Sequence, residues 1–185
     1  SMDDIETLDN LVSEYDVTVS LLPYKFHTDV AKICLKNKRP LVTTSYVQPG
    51  INALDSEAKA AGILFLNEIG LDPGIDHMTA MKVIDNIHSN GGKVEEFYSL
   101  CGALPAPEDA SNPLKYKFSW SPKGVVLASR NGALYLKNRK RVVIEPENLF
   151  RDIFTYNFTG VGEMEVYPNR DSISYIDIYS IPEVS

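Results

Sequence analysis

Short apolar segments that alternate with amphipathic ones fill the first 70 residues of this chain. The segments that predict buried strands are residues 16–22, 41–46 and 63–68, and those that predict helices are residues 4–15, 27–37 and 49–61. Strand and helix alternating at this spacing predict βαβ crossovers around a parallel sheet. Three strands are few for such a sheet, and the 185 residues contain no Gly-x-Gly-x-x-Gly sequence. We therefore expect the C-terminal half of a nucleotide-binding domain of the Rossmann type.

The sequence changes character at Leu71. Asp72 is a suitable helix N-cap and Pro73 suits the first helical position, so we predict a long helix from there to about Ser89. Beyond it the pattern predicts strands at 94–100, 163–168 and 173–179, a hairpin at 133–144, and short helices at 121–131 and 149–156. The predicted fold class is α/β: a partial Rossmann-type parallel sheet over residues 1–71, followed by part of an α+β substrate-binding domain over residues 72–185.

Composition and charge exclude several classes of protein. Hydrophobic residues make up 44% and charged residues 23% of the chain, which is typical of a globular protein. No run approaches the roughly 18 apolar residues that a transmembrane helix needs, so we expect no membrane partner. The net charge of −7 argues against a nucleic-acid partner, because phosphate binding needs a positive surface. Residues 110–144 are basic without any acid, and form either a solvated face or an attractor for a small polyanion.

Ligands of open α/β sheets bind at the carboxyl ends of the strands. In this chain those ends are Leu21-Leu22-Pro23, Thr44-Ser45-Tyr46 and the segment 68–72. Their side chains are candidates for contact with a cofactor or substrate, with ordinary turn chemistry as the alternative for Ser45 and Tyr46. His27, just beyond the first strand end, is a further candidate for cofactor contact.

Asp72 allows three interpretations. It caps a helix, or it accepts hydrogen bonds from a cationic amine in a cleft, or it joins Asp76 and His77 in holding a divalent metal. Because a capped helix start explains the Asp-Pro-Gly sequence fully, we expect no metal.

The other candidate side chains are a thiol and a guanidinium. Cys101 follows a predicted strand, and no histidine is placed to lower its pKa, so we do not expect a nucleophile. Arg170 lies in a predicted turn, where its planar guanidinium suits a carboxylate ligand; an ion pair with Asp171 is the alternative.

Four sequence blocks resemble one enzyme family. They are Asn67-Glu68-Ile69-Gly70-Leu71-Asp72-Pro73-Gly74-Ile75-Asp76-His77, Cys101-Gly102-Ala103-Leu104-Pro105-Ala106-Pro107-Glu108, Asn112-Pro113-Leu114-x-Tyr116-Lys117-Phe118-Ser119-Trp120-Ser121 and Tyr167-Pro168-Asn169-Arg170-Asp171-Ser172. In this order, over residues 3–185, the chain resembles the saccharopine dehydrogenases of the glutamate-forming type, also called saccharopine reductases. It looks most like the animal form, in which this activity is the C-terminal part of a bifunctional aminoadipate-semialdehyde synthase.

The resemblance implies an oxidoreductase of lysine degradation. Enzymes of this family oxidise the secondary amine of saccharopine, and hydrolysis of the imine releases L-glutamate and 2-aminoadipate 6-semialdehyde. The resemblance further implies NAD as the cofactor, the mitochondrial matrix as the location, and self-association into a homo-oligomer. Since the glycine-rich loop is absent from these 185 residues, we expect the chain alone to be inactive.

The resemblance also assigns roles to the residues that match the family's motifs. It implies that the cofactor is lined by Leu21, Leu22, Pro23 and Ser45. It implies that the substrate is contacted by Ser45, Tyr46, Asp72, Cys101, Gly102 and Arg170. Among these, Asp72 orients the reacting amine electrostatically, and Arg170 binds a substrate carboxylate.

Two alternative functions are compatible with the sequence. One is a related dehydrogenase of the carboxynorspermidine or homospermidine type, which tighter binding of a polyamine precursor would indicate. The other is a non-catalytic binding or assembly module, which measured cofactor affinity separates from an enzyme.

Overall fold

A computed structural model of the chain describes residues 4–119 and 122–184. It divides the chain into two units, residues 1–82 and 83–185. The first unit contains α1 (Ile5–Glu14), β1 (Thr18–Ser20), α2 (His27–Lys36), β2 (Leu41–Thr43), α3 (Pro49–Asn52), α4 (Asp55–Ala61) and β3 (Phe65–Leu66). The division falls within the long helix α5 (Ile75–Ser89).

The three strands of the first unit form one parallel sheet in the order β1-β2-β3. Val19 lies opposite Val42, and Val42 lies opposite Leu66. Parallel neighbours joined by helices confirm the predicted βαβ arrangement, although each strand is shorter than the apolar run that predicted it.

The core of the first unit lies between α2 and the sheet. Its buried residues are Val12, Val30, Ala31, Ile33, Cys34, Leu41 and Ile51. The helical spacing of the α2 members puts them on one face, which the sheet and α1 remove from water. Burial of these side chains supplies the main driving force for this unit, at roughly 1.5–3 kcal/mol for each large one.

Turn residues at both ends of the helices act as the sequence suggests. The Asp4 carboxylate accepts a hydrogen bond from Thr7 N at 3.0 Å and caps α1. Gly62 ends α4 in the left-handed conformation, with φ +67°. Glycine is the usual residue at this position, directly after the last helical residue, here Ala61.

The predicted start of the long helix is wrong. Helix α5 begins at Ile75, three residues after the expected N-cap Asp72. Gly74 has φ +153°, which is not a helical conformation, so the helix begins after it. The Asp72–Pro73 peptide is cis. The carboxylate of Asp76 instead accepts a hydrogen bond from Gly74 N at 2.6 Å.

The second unit is a mixture of short strands and helices. Its elements are α6 (Pro122–Ala128), β4 (Ala133–Lys137), β5 (Lys140–Ile144), β6 (Phe154–Phe158), β7 (Gly162–Val166), β8 (Arg170–Asp171) and α7 (Ser174–Ile178). They form a sheet in the order β5-β4-β8 and a separate pair β6-β7. This agrees with the predicted α+β character. No helix in the described parts of the chain is long and apolar enough to cross a membrane.

The hairpin and one strand of this unit are confirmed. β4 and β5 are antiparallel around Asn138 and Arg139, both of which have positive φ. Two consecutive residues with positive φ form the type of turn that matches the twist of a two-residue hairpin. β7 (Gly162–Val166) overlaps most of the strand predicted at 163–168, beginning one residue earlier and ending two residues earlier. The predicted first residue of α6, Ser121, lies outside the described residues.

Three local predictions in the second unit are wrong. No strand of the described chain covers residues 94–100, where Phe97 packs against Tyr179 at 5.4 Å between ring centroids. The run at 149–156 divides between a 3₁₀ helix, Pro146–Arg151, and strand β6 rather than forming one helix. The alternating run at 173–179 is helix α7, because Asp171 accepts hydrogen bonds from Ile173 N and Ser174 N and so caps a helical turn.

Candidate functional site

The carboxyl ends of β1, β2 and β3 meet at one edge of the parallel sheet. Beyond β1 the apolar side chain of Leu21 is 73% exposed, and Leu22 is also exposed. Together with Val19 and Leu8 they line a cleft of about 270 Å³. Exposed leucines beside a strand end offer a surface for a flat, partly apolar ligand.

Tyr46 and Asp72 come together at this edge. Tyr46 follows β2 and Asp72 follows β3, and the Tyr46 hydroxyl donates a hydrogen bond to Asp72 Oδ1 at 3.1 Å. Both side chains are exposed, so the second carboxylate oxygen of Asp72 faces solvent-accessible space. The sequence analysis named both residues, and the structure places them in contact although they are 26 positions apart.

A set of hydrogen bonds ties the loop after β3 to the loop after β2. Glu68 N donates to Ser45 O at 3.1 Å, and Glu68 Oε1 accepts from Val47 N at 3.1 Å. Below them, Thr43 Oγ1 donates to Asn67 Oδ1 at 3.1 Å. Glu68 was a candidate from the sequence through its place in the predicted strand end 68–72, whereas Asn67, one position earlier, had no assigned role.

The turn that carries Asp72 depends on two glycines in contact. Gly70 N donates to Pro73 O at 2.8 Å, and Gly70 O accepts from Ile75 N at 2.9 Å. A β-carbon on Gly74 would lie 2.2 Å from Gly70 O, a distance that no side chain can occupy. The segment 70–75 therefore closes on itself and fixes the position of Asp72.

His27 lies beneath this edge rather than on it. The side chain is 0% exposed; Nδ1 lies 2.9 Å from Ser20 Oγ and Nε2 lies 2.9 Å from Ser45 Oγ. Contact with a cofactor, for which the sequence made it a candidate, is therefore excluded for this conformation. Burial lowers the pKa of His27 below its usual 6.5, which favours the neutral ring.

The buried histidine predicts that acid destabilises the chain. Because the folded-state pKa of His27 is below 6.5, the unfolded chain binds more protons than the folded chain does below that pH. The free energy of unfolding therefore falls as the pH drops from 6.5 towards the folded-state pKa. The slope reaches at most about 1.4 kcal/mol per pH unit for one proton. Denaturant titration at several pH values between 5 and 7.5 measures it.

The matched control for this experiment is His27→Gln. Glutamine retains a donor and an acceptor but has no proton to gain in this range. We expect the variant to lose the part of the pH slope of the unfolding free energy that belongs to His27. Equal slopes in the two proteins would contradict the assignment.

The possible metal site receives no support from the geometry. His77 Nε2 lies 3.9 Å from both Glu68 Oε2 and Asp76 Oδ2. Asp72, the third residue of that hypothesis, accepts a hydrogen bond from the Tyr46 hydroxyl. Within residues 4–119 and 122–184, no group of three or more His, Cys, Asp or Glu is placed to hold a metal ion.

The remaining candidates belong to the second unit. Cys101 and Gly102 lie in an exposed coil, and Arg170 is the exposed first residue of β8, with φ +50°. Backbone pairing of β8 with β4 sets Arg170 opposite Ala133. A separate cleft of about 230 Å³, close to Cys101 in sequence, is lined by Ala103, Leu104, Pro105, Asp109, Lys117 and Ser119.

The first unit fits one part of a dinucleotide. Exposed leucines at the end of β1 and a hydroxyl at the end of β2 suit a planar ring that carries a polar substituent. The 185 residues hold no glycine-rich loop for the phosphates. The residues present therefore suit the ring end of a dinucleotide at the edge of the sheet, and they do not suit its pyrophosphate.

Two family models match the chain. The saccharopine dehydrogenase NADP binding domain matches residues 1–66, and the saccharopine dehydrogenase C-terminal domain matches residues 70–185. The chain is 48% identical over 180 residues to saccharopine dehydrogenase [NADP(+), L-glutamate-forming] of Saccharomyces cerevisiae, covering 97% of this chain and 40% of the yeast protein. It is 46% identical to the mitochondrial alpha-aminoadipic semialdehyde synthase of Bos taurus, covering 96% of this chain and 19% of the bovine protein.

A solved structure agrees with these matches over the whole chain. The apo histidine-tagged saccharopine dehydrogenase (L-Glu forming) from Saccharomyces cerevisiae superposes with a TM-score of 0.91 at 47% identity, covering 100% of this chain and 41% of that one. The chain thus spans about 40% of the length of its fungal relatives. Agreement of sequence and fold at this level shows that the chain belongs to the saccharopine dehydrogenase family.

Proposed function

We propose that this chain is part of an oxidoreductase that oxidises saccharopine to L-glutamate and 2-aminoadipate 6-semialdehyde in lysine degradation. The observation that carries the proposal is the meeting of Ser45, Tyr46 and Asp72 at the carboxyl edge of a parallel sheet. Family membership supplies the substrate class, because the yeast relative is named as a saccharopine dehydrogenase that forms L-glutamate.

The residues of the edge suit that chemistry. A bound nicotinamide supplies a hydride acceptor. The Asp72 carboxylate, held by the Tyr46 hydroxyl, stabilises positive charge on the reacting amine, and its fixed position costs no reorganisation during the reaction. In the second unit, Arg170 is proposed to offer two parallel donors to a substrate carboxylate, and Cys101 and Gly102 are proposed as further substrate contacts. Leu21, Leu22 and Pro23 form the apolar border of the cofactor site.

The cofactor we propose to test first is NADP. The resemblance to the animal enzymes implies NAD, whereas the matching family model and the fungal relatives are named for NADP. NAD is the alternative, and the ratio of kcat/KM values for the two dinucleotides decides between them.

Saccharopine oxidation, followed by nicotinamide absorbance, tests the proposed function. Two proteins are compared: the 185-residue chain, and a yeast saccharopine dehydrogenase in which this chain replaces the segment that it matches. We expect activity in the chimera and none in the chain alone, because the matched segment is about 40% of the relative's length. A folded chimera that oxidises carboxynorspermidine faster than saccharopine, or neither, would contradict the proposal.

The organisation and location of the protein are part of this proposal. The two family models meet between residues 66 and 70, which supports a boundary near 71 between the nucleotide-binding part and the substrate-binding part. The mitochondrial names of the mammalian relatives support a location in the mitochondrial matrix. A homo-oligomer is proposed on the family resemblance, and sedimentation of the chimera measures it.

A further inference from the structure

One buried imidazole joins the ends of two neighbouring strands. Ser20 is the last residue of β1, Ser45 is the second residue after β2, and His27 at the start of α2 contacts both hydroxyls at 2.9 Å. The partners are 7 and 18 positions away in sequence. The contacts connect a fully buried residue to Ser45, which is partly open to solvent.

The hydrogen bonds restrict the state of the ring. Both ring nitrogens face hydroxyl groups, and burial lowers the pKa of His27, so the ring is neutral near pH 7. A neutral imidazole has one N–H donor and one acceptor nitrogen. One serine must therefore donate to the ring and the other must accept from it.

The burial of the two serines decides which of them donates. Ser20 is 4% exposed, and within the described residues its hydroxyl has a hydrogen bond with His27 and no other. If Ser20 accepted a proton from Nδ1, its own hydroxyl proton would have no acceptor among the described residues, and a nearly buried donor without a partner is unfavourable. Ser20 Oγ therefore donates to Nδ1, and Nε2–H donates to Ser45 Oγ.

The orientation of Ser45 follows from this tautomer. Its backbone carbonyl accepts a hydrogen bond from Glu68 N at 3.1 Å, and its hydroxyl oxygen accepts the proton of His27. Within the described residues the Ser45 hydroxyl has no other hydrogen bond, so its proton is left for an acceptor that does not belong to the described chain.

We propose that His27 is a positioning residue, which makes the Ser45 hydroxyl a hydrogen-bond donor to a carbonyl or carboxylate oxygen of the ligand bound at the sheet edge. The identity of that ligand rests on the proposed function, whereas the tautomer does not. A carboxamide oxygen of the cofactor and a carboxylate oxygen of the substrate share the required chemistry.

The tautomer is measured on the 185-residue chain itself. Two-bond ¹H–¹⁵N correlation spectra distinguish a protonated ring nitrogen from an unprotonated one. We expect a neutral ring at pH 7 with the proton on Nε2. Ser45→Ala should leave that tautomer in place, because Ser20 still donates to Nδ1, while Ser20→Ala should shift it towards the Nδ1-protonated form. An Nδ1-protonated or charged ring in the unmodified chain would overturn the proposal.

Kinetics of the chimera test the effect on the ligand. Ser45→Ala and His27→Leu should each lower kcat/KM about tenfold, the loss of roughly one hydrogen bond to the ligand. The double variant should lose no more than either alone, since both changes remove the same oriented donor. His27→Gln should recover part of the activity, because it keeps a donor at that position.

The outcomes separate this proposal from the proposed function. Losses that multiply in the double variant would overturn the positioning role even if saccharopine is the substrate. A change in the KM for the dinucleotide would identify the cofactor's carboxamide oxygen as the acceptor of the Ser45 hydrogen bond. A change in the KM for saccharopine would identify the substrate's carboxylate oxygen as that acceptor. If the chimera is inactive or His27→Leu does not fold, the tautomer and its response to Ser20→Ala still decide whether Ser45 is set as a donor.

Discussion

Gly74→Ala is expected to lower the free energy of unfolding by about 3 kcal/mol or more. The added β-carbon would lie 2.2 Å from Gly70 O and 2.4 Å from Gly70 N, which are backbone atoms that cannot turn aside. The residue also has φ +153°, a conformation that costs a non-glycine residue about 1–3 kcal/mol. Overpacking of a tight site adds a cost of about 1–3 kcal/mol. Chemical denaturation of the chain measures the sum.

Two other glycines serve as matched controls. Gly62 has φ +67° with open space around its β-carbon position, so Gly62→Ala should cost only about 1 kcal/mol. Gly102 has open space and no such strain, so Gly102→Ala should stay within about 0.5 kcal/mol of the unmodified chain. A loss at Gly74 no larger than that at Gly62 would mean that the Gly70–Gly74 contact is not as close as described.

Arg170→Ala is expected to lower kcat/KM for saccharopine in the chimera about 100-fold. Hydrogen bonds to charged groups contribute about 1.5–3 kcal/mol each, which corresponds to a factor of roughly 10 to 150. Arg170 is exposed on β8. Loss of its guanidinium should therefore affect substrate binding and leave the thermal stability of the chimera nearly unchanged. Steady-state kinetics and a thermal unfolding curve together test this expectation.

Two variants sharpen the test of Arg170. Arg170→Lys keeps the charge but loses the planar pair of donors, so we expect an intermediate loss of kcat/KM. Arg151→Ala removes another exposed arginine, whose hydrogen bond goes to Asn148 within the same 3₁₀ helix, and should leave kcat/KM unchanged. Equal effects at Arg170 and Arg151 would indicate a general charge effect and would exclude a carboxylate contact at Arg170.

The parallel sheet of the first unit could be predicted from local patterns. Residues 16–68 alternate between apolar runs and amphipathic stretches, and the structure has parallel strands and helices in that order. Each βαβ step is encoded over about 25 residues, and its handedness follows from the twist of the strands. The roles proposed for Ser45, Tyr46, Asp72, Cys101, Gly102 and Arg170 stay predictions, because the comparisons establish the family and not the function of single residues.

Patterns of apolar residues were weaker guides in the second unit. The run 173–179 alternates as a strand does, yet two hydrogen bonds to Asp171 start a helix there, and Tyr175 then lies one turn from Tyr179. Residues 94–100 alternate equally well without forming a strand. A strand requires a neighbour, and a local pattern carries no information on whether the fold supplies one.

By itself, the sequence determined the class of fold, the order of strands and helices in the first unit, and the family, and it indicated the sheet edge at which we propose that a ligand binds. Tertiary structure alone decided that His27 lies beneath that edge between Ser20 and Ser45, that Tyr46 contacts Asp72, and that Gly70 and Gly74 close the turn before α5. The physical reason is one of distance along the chain. A periodic pattern of burial depends on residues that are close together in the sequence, so it can be recognised there. A hydrogen bond between residues 18 or 26 positions apart forms only once the crossovers have brought the strand ends together.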